Sequence, residues 1–575
     1  MIRPDVVRKY RFRAICYLSC TMVLWITAFT LAIKFTPANS LVVTSIAALC
    51  LLVTGFNYAG AFTTLCAATL FRNEATRFNL EADISSPRKT IVVIPCLLSS
   101  NRVIDSLLQS LLDHYNSSKS DVAAFILLAD FADAKRMDEG ILNLDAALLE
   151  RAMHGIDKLN QEYCNVFGIL VRQRIWAPAE SAWMGRERKR GKLEALNKFL
   201  VDSAECEFDI VKCDLTLLAN VDYVLTLDAD TVLPEGVAKG LISTAALPSN
   251  SEYTIIQPGV RRCLNEPKSV YQWLTTSPFP PLSILQGIFG HSKFVGKGLY
   301  KVRDFNARTE NVFPSNWILS HDVLESIHVR VLTIDESCIL ESNPESFEEA
   351  CVRLHRWYRG DWQNIPWSLP SSIRYSIREF KSLRRFRVGF VGAWTIFDLI
   401  MRSIHAPFLM ILIWISCLCK GGKTFLLIVL ALEFLLAFIT FLSKYLRGEE
   451  EAWHSRTFCV LLGATFFLMA LPAHVVMAVD AATRSFWRMF ISGRFRLQWK
   501  AMAEFKIEKS TQRYHFWTFT PALIFGLALT LASLFKHFIP GALIGVLWLI
   551  FPFLTSLLEK IRVAPHLQGN YPRKY

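Results

Sequence analysis

Charge is scarce in this chain. Only 20% of its 575 residues are charged, whereas 52% are hydrophobic. A wholly soluble chain does not carry that apolar excess, so a mixed soluble and membrane protein is expected. Cysteine pairs with zinc spacing are absent. The 14 cysteines show no regular pattern, and Cys16, Cys20, Cys50, Cys417 and Cys419 lie inside apolar runs. That excludes a disulfide framework and a structural zinc from the reading. Internal repeats and low-complexity linkers are lacking as well. A net negative charge is lacking too: the balance is +13. The basic residues cluster beside apolar segments instead of forming one broad face. This follows the positive-inside pattern, and nucleic acid is not an expected partner.

One absence is positional. No apolar run long enough to span a bilayer occurs between residues 72 and 385. Such runs do occur at about 14–33, 41–65, 404–419, 424–442, 457–479, 518–535 and 538–558. Three regions follow. Residues 1–71 form a basic segment and two transmembrane helices, the first an uncleaved anchor. Residues 72–385 form an inserted domain, and 386–575 form interfacial helices and a C-terminal bundle. The inserted domain alternates short apolar runs (IVVIP, AAFILLA, VFGILV, YVLTL, YTIIQP) with amphipathic patterns. That alternation predicts an α/β domain with a largely parallel sheet.

Basic residues set the expected orientation. Arg3, Arg8, Lys9, Arg11 and Arg13 put the N-terminus in the cytoplasm, and two spans return the chain there. The next two spans form a hairpin around Lys420–Lys423. The stretch 484–515 holds Arg484, Arg488, Arg494, Arg496, Lys500, Lys506, Lys509 and Arg513. It should be cytoplasmic, as should the tail with Lys560, Arg562, Arg573 and Lys574. Both conditions hold if 457–479, with Pro472 and His474, is a re-entrant or interfacial helix. Six spans plus that segment is the favoured reading; seven spans is the alternative.

Four strings carry chemistry. The run VDYVLTL (221–227) ends in Asp228-Ala229-Asp230, and ligands of open α/β sheets bind at carboxyl ends of strands. Two carboxylates so spaced can share a hard divalent cation that bridges diphosphate oxygens. DxD alone is common, usually as a solvated turn. In SHDVLES, Asp322 precedes an apolar helical stretch. A helix N-terminal acid is the plainer reading; a general base for a sugar hydroxyl is the other. RLHRWYRGDWQNIPW (353–367) packs three arginines and three tryptophans into fifteen residues. Trp faces stack on sugars and Arg forks bind phosphate, although a membrane-surface helix favours the same residues. Arg186, Arg188, Lys189, Arg190 and Lys192 form a cationic cluster suited to a diphosphate or to a solvated face.

Together these residues resemble family-2-like inverting glycosyltransferases with a GT-A fold. The ordered set is IPC (94–96), Asp130 in LLADFADA, KxxALN (192–197), DAD, GKG (296–298), HD (321–322) and RxxRW (353–357). The likeness is closer to the glycosyltransferase domain of cyclic β-1,2-glucan synthases, glycosyltransferase family 84. It rests on WMGRERKRGKLEALN, LDADTVLPEG, FVGKGLYKVRDF, LSHDVLES, HRWYRGDWQNIPW and RSFWRMFISGRFRLQW, over about residues 85–510. The resemblance implies a multi-pass helical membrane protein with a cytoplasmic GT-A-like domain, in a bacterial inner membrane. It implies β-glucosyl transfer from UDP-glucose to a growing β-glucan, with Mg²⁺ or Mn²⁺. A lipid-linked acceptor and an inactive regulatory membrane subunit are the alternatives.

By the same resemblance, Asp322 is the catalytic base. Asp130, Lys192, Asp228, Arg353, Arg356 and Trp357 bind the donor, and Asp230 with Asp228 holds the metal. Gly296, Lys297, Gly298 and Trp362 lie at the acceptor. The chain departs from the pattern at three places. FGHSKFV stands where FGEGSFT is expected, so His291, Ser292 and Lys293 replace Glu, Gly and Ser. Arg186 replaces a Trp, and Gly259 replaces an Arg. The family enzymes are far longer and carry a phosphorylase-like region, so a cyclic product is not expected here.

Overall fold

A computed structural model describes residues 4–34, 36, 40–70, 88–262, 269–275, 283–386, 388–419, 421–445, 453–498 and 512–562. Arg3, Lys420, Lys500, Lys506, Lys509, Arg573, Lys574 and the expected domain start at 72–87 lie outside them.

The α/β domain is built on nine strands in the order β6-β3-β2-β1-β7-β10-β9-β11-β8. They are β1 (Thr90–Leu98), β2 (Ala124–Phe131), β3 (Phe167–Arg172), β6 (Ile210–Lys212), β7 (Tyr223–Thr226), β8 (Thr231–Val232), β9 (Ile255–Arg262), β10 (Gly298–Lys301) and β11 (Val331–Glu341). A separate hairpin pairs β4 (Ile175–Ala177) with β5 (Ala182–Met184). The central strands are buried on both faces, which is why they read as continuous apolar runs. Helices α3 (Asn101–Ser118), α4 (Glu139–Glu162) and α6 (Val237–Ala246) cover one face through Ile104, Leu107, Leu148, Ile156 and Leu241. Helix α5 (Arg188–Val201) packs Leu193 and Leu196 on the other. Each such buried side chain stabilises the layers by roughly 1.5–3 kcal/mol.

The expected largely parallel sheet is mixed. β1, β2, β3 and β7 run parallel, but β10 is antiparallel to both β7 and β9. The reason is the GKG turn, where Gly296 and Gly298 take φ of 79° and 151°. Those left-handed angles favour glycine and turn the chain back along β7. The reversal serves the site. Gly298 lies opposite Thr226, so residues 296–297 reach the carboxyl end of β7 beside Asp228. Likewise β11 pairs Glu341 with Thr231 and brings Glu341 to the DAD turn.

Downstream lie α7 (Asp322–His328), α8 (Phe347–Gln363), α9 (Phe390–Ser403) and α10 (His405–Leu418). The C-terminal helices are α11 (Gly422–Tyr445), α12 (Trp453–Phe486), α13 (Gln512–Phe535) and α14 (Ile539–Lys560). With α1 (Pro4–Lys34) and α2 (Leu41–Leu70), six helices are long and apolar enough to cross a membrane. The α9–α10 pair meets the same test jointly, with a 43° bend. So the expected span at 404–419 is the second half of a bent element. Pro407 explains the bend: its ring clashes with the carbonyl four residues back, at Ser403.

Helix α12 contains the expected non-crossing segment 457–479 and runs unbroken through Pro472. By length and composition it could span. Its C-terminal half nevertheless lies along α8. Phe347 meets the rings of Phe466 and His474, His355 Nε2 lies 2.7 Å from Asp480 Oδ2, and Ser485 donates to the Arg359 carbonyl at 3.2 Å. A π-helical turn over Trp487–Ser492 then ends at Gly493.

Candidate active site

Asp228 follows β7 and is the most heavily engaged acid in the cleft. Lys189 Nζ donates to its Oδ1 at 2.6 Å and Lys297 Nζ lies 3.0 Å from its Oδ2. Burial alone would raise its proton affinity, but the two ammonium groups hold it far below the usual carboxylate range. Lys297 also pairs with Glu341, whose other oxygen accepts from Arg353 at 3.0 Å. Against the burial penalty, Asp228 and Glu341 raise Lys297. The Arg353 guanidinium sits 4.8 Å from the Trp357 ring centroid. Arg356, one turn from Arg353, is half-buried; burial lowers its proton affinity, while Asp228, Asp322 and Asp230 all attract its charge. Thus acids from two distant segments, the DAD turn and the start of α7, act on one guanidinium.

Asp230 is exposed and only loosely held, by Ser342 Oγ at 3.4 Å. Asp322 opens α7. A side chain at Gly296 would come within 3.8 Å of its Oδ2 and 3.6 Å of Lys189 Nζ, so GKG and HD do meet. His321 Nδ1 lies 2.8 Å from Glu325 Oε1 within the same helix start. Gly360 permits this assembly: its missing Cβ would lie 2.6 Å from Ser320 Cβ and Oγ.

Several of the expected residues lie away from the open face of the cleft. Asp130 is buried beneath the surface of the cleft. Arg172 clasps both its oxygens at 2.9 Å, Lys192 approaches at 3.3 Å, and a side chain at Gly185 would collide with it. There it organises Arg172 and Lys192. Lys192 is buried too, donating to the Cys96 carbonyl at 2.6 Å. The lysine that reaches the acids is Lys189. Left-handed Glu187 and Arg188, with φ of 52° and 51°, set the phase in which α5 begins. Arg186, Arg188 and Arg190 are neutralised locally by Glu207, Asp133 and Glu187. Lys297 stands beside Asp228 and Glu341. Gly298 serves the sheet, where a Cβ would meet Gln257 at 3.0 Å. Trp362 donates to Ser403 Oγ at 3.0 Å, at the α9–α10 bend.

The sequence offered no motif for Glu341 or Arg172. It also left the last part of RWYRGDWQ unexplained. Arg359 donates to the Gln498 carbonyl at 2.8 Å, and Gln363 donates to the Arg496 carbonyl at 2.8 Å while accepting from Leu319 N. Burial, reinforced by Arg488 and Arg484, lowers Arg359 to about 9. The chain after the π-turn then reaches the β4–β5 hairpin: Phe495 N donates to Ala179 O, Leu497 N to Glu180 Oε1, and Arg188 Nε to Leu497 O. Two strings far apart in sequence are thus one contact.

A divalent cation has a partial seat here. Both oxygens of Asp228 carry lysines, so the expected Asp228–Asp230 pair leaves Asp230 as its open member. Among the described residues no three His, Cys, Asp or Glu side chains stand together as a metal cage. That donor set fits an ion such as Mg²⁺ or Mn²⁺ held largely by substrate oxygens and water.

No family model matches the chain. It is 28% identical over 462 residues to the cyclic beta-(1,2)-glucan synthase NdvB of Rhizobium meliloti, covering 73% of this chain and 16% of that protein. The chain thus spans about one sixth of the length of that relative. A looser likeness is to the mannosyltransferase PcManGT from Pyrobaculum calidifontis, in complex with GDP-Man and Mn²⁺. Its TM-score is 0.36 at 12% identity, covering 77% of this chain and 99% of that one, and it adds nothing to the reading of the site. The resemblance to cyclic β-1,2-glucan synthases that the sequence strings carry is thus matched by a curated relative, as a likeness over part of that relative's length.

Proposed function

We propose that the chain is a membrane-embedded inverting glycosyltransferase with a GT-A-like domain, moving glucose from UDP-glucose to a growing β-glucan. The observation that carries it is the junction of the DAD, GKG and HD strings: Lys189 and Lys297 hold Asp228, and Lys189 also reaches Gly296, which lies beside Asp322. Arg356, with Lys189 and Lys297 behind Asp228, receives the diphosphate. A divalent cation at Asp230 would neutralise charge developing on the leaving diphosphate. Asp322 takes the proton of an acceptor hydroxyl. That oxygen bonds to the anomeric carbon as the bond from carbon to diphosphate breaks on the opposite face, and the product is β-linked. Trp357, held by Arg353, walls the sugar site.

The membrane arrangement we infer has six crossings: α1, α2, the bent α9–α10 pair, α11, α13 and α14. Helix α12 lies along the interface, supported by its packing on α8. This places the N-terminal arginines, the basic stretch after α12 and the tail on the cytoplasmic side of a bacterial inner membrane, with the catalytic domain.

The test is UDP release by purified full-length protein in detergent, with Mg²⁺ or Mn²⁺ and a panel of nucleotide sugars. UDP-glucose should turn over, and Asp322→Asn should lower the rate by about 10²–10⁴-fold. Undiminished turnover in that variant would sink the assignment. Analysis of the product separates a glucan from a glycosylated lipid.

A further inference from the structure

Arg172 has no part in the steps above, yet it is buried under the elements that carry them. It closes β3, and its register partner on β2 is Asp130. Its guanidinium forks onto both Asp130 oxygens at 2.9 Å. The same NH2 group also donates to the carbonyls of Arg186 at 3.1 Å and Arg188 at 3.4 Å. Those carbonyls flank Glu187, and Glu187 with Arg188 is the left-handed pair at which α5 begins. Left-handed backbone is disfavoured in residues that carry a side chain, so such a turn persists only where its surroundings hold it. The Arg186 carbonyl is confined from the other side as well: a Cβ at Gly191, in the first turn of α5, would lie 2.0 Å from it. The next residue, Lys192, reaches back to the Asp130 carboxylate at 3.3 Å. Lys189 follows the turn directly. Its Nζ donates to Asp228 Oδ1 at 2.6 Å and to the Gly296 carbonyl at 2.8 Å, tying DAD to GKG. A displaced turn therefore displaces this ammonium group.

We propose that Arg172, clasped by Asp130, is a positioning residue for the donor site: it holds the 186–188 turn so that Lys189 meets Asp228. The proposal rests on the glycosyltransferase reading and adds a residue to it. Its content is geometric. Two carboxylate oxygens and two carbonyls must be served at once, and a planar guanidinium with donors in a fixed fork does this. A lysine at 172 would still balance the charge of Asp130, but a point charge on a flexible stem does not reproduce the fork. Arg172→Lys thus removes the hold on the turn and keeps the ion pair.

The experiment uses the full-length protein in detergent with two readouts. The first is amide hydrogen exchange over residues 185–192, which needs no turnover. Exchange there should quicken by about tenfold in Arg172→Lys and stay at the wild-type rate in Lys189→Met. The second is a double-mutant cycle on UDP release from UDP-glucose. Arg172→Lys should raise KM by about tenfold, as Lys189→Met does, with kcat within about threefold of wild type. The double variant should have the KM of Lys189→Met alone, because Arg172 acts through that lysine. Gly191→Ala leaves Arg172 and Asp130 intact but pushes on the Arg186 carbonyl, so it should reproduce both effects of Arg172→Lys and carries the same cycle if that variant does not fold. Unchanged exchange over the turn, an unchanged KM, or effects that multiply in the double variant, as for an independent contact with the donor, would each overturn the proposal. Wild-type protein that releases no UDP from any donor would instead remove the glycosyltransferase reading, and the positioning role with it.

Discussion

Replacing Gly360 by Ala tests the site through a single methyl group. The missing Cβ would lie 2.6 Å from both Ser320 Cβ and Oγ, and 3.4 Å from Ser320 N. Carbon atoms pack at about 3.5–4 Å, so α8 and the 319–322 loop must part by roughly 1 Å. The hydroxyl of Ser320 can rotate away, but its Cβ cannot, so the backbone has to yield. Stability should change little. Ala gains about 1 kcal/mol over Gly as a helix former, against about 1–3 kcal/mol for overpacking. Catalysis should suffer far more, because α8, which carries Arg356, meets the loop leading to Asp322 at this contact. A misplacement of about 1 Å costs on the order of 10²-fold in rate. The assay is UDP release with thermal unfolding measured in parallel. Gly360→Ala should keep most of its melting temperature and lose about 10–100-fold in kcat. Pairing it with Ser320→Gly, which removes the clashing atoms, should restore most of the loss. Full turnover in the single variant, or no recovery in the pair, would refute the argument that this contact seats the base.

Two further outcomes follow from the geometry. Lys189→Met leaves Asp228 with Lys297 alone, so the KM for UDP-glucose should rise by about tenfold while the fold is retained, read from initial rates. Gln363→Ala strands Leu319 N, at about 1–3 kcal/mol, and leaves Arg496 O only the 3.5 Å bond from Arg359. Amide hydrogen exchange at Phe495 and Leu497 should then quicken by about tenfold or more.

Much of the architecture is legible from residues alone because its signals are local. Apolar runs mark the membrane helices wherever they are long enough, and period and flanking charge do not depend on the fold. DAD stands out because VDYVLTL is a buried strand and the turn after it must reach the carboxyl edge of the sheet. The cationic cluster was visible as well. Its useful member was not, since Lys189 and Lys192 are one turn apart and differ only in the phase of α5. That phase is set by two left-handed residues, Glu187 and Arg188, which no apolar pattern reports.

By itself, then, the sequence determined that this is a chain of membrane helices around an α/β domain, and which strings hold the acids. It did so through periodicity, apolar length and a family likeness. Only the tertiary structure decided which charges meet. The register of β11 on β8 delivers Glu341 to Lys297, and the reversal at GKG brings Lys297 to Asp228. The packing of α8 on Ser320 sets the helix that carries Arg356 against the loop leading to Asp322. Electrostatic partners are chosen by distance in space, and a carboxylate 44 residues from its lysine, as Glu341 is from Lys297, carries no local mark of the pairing.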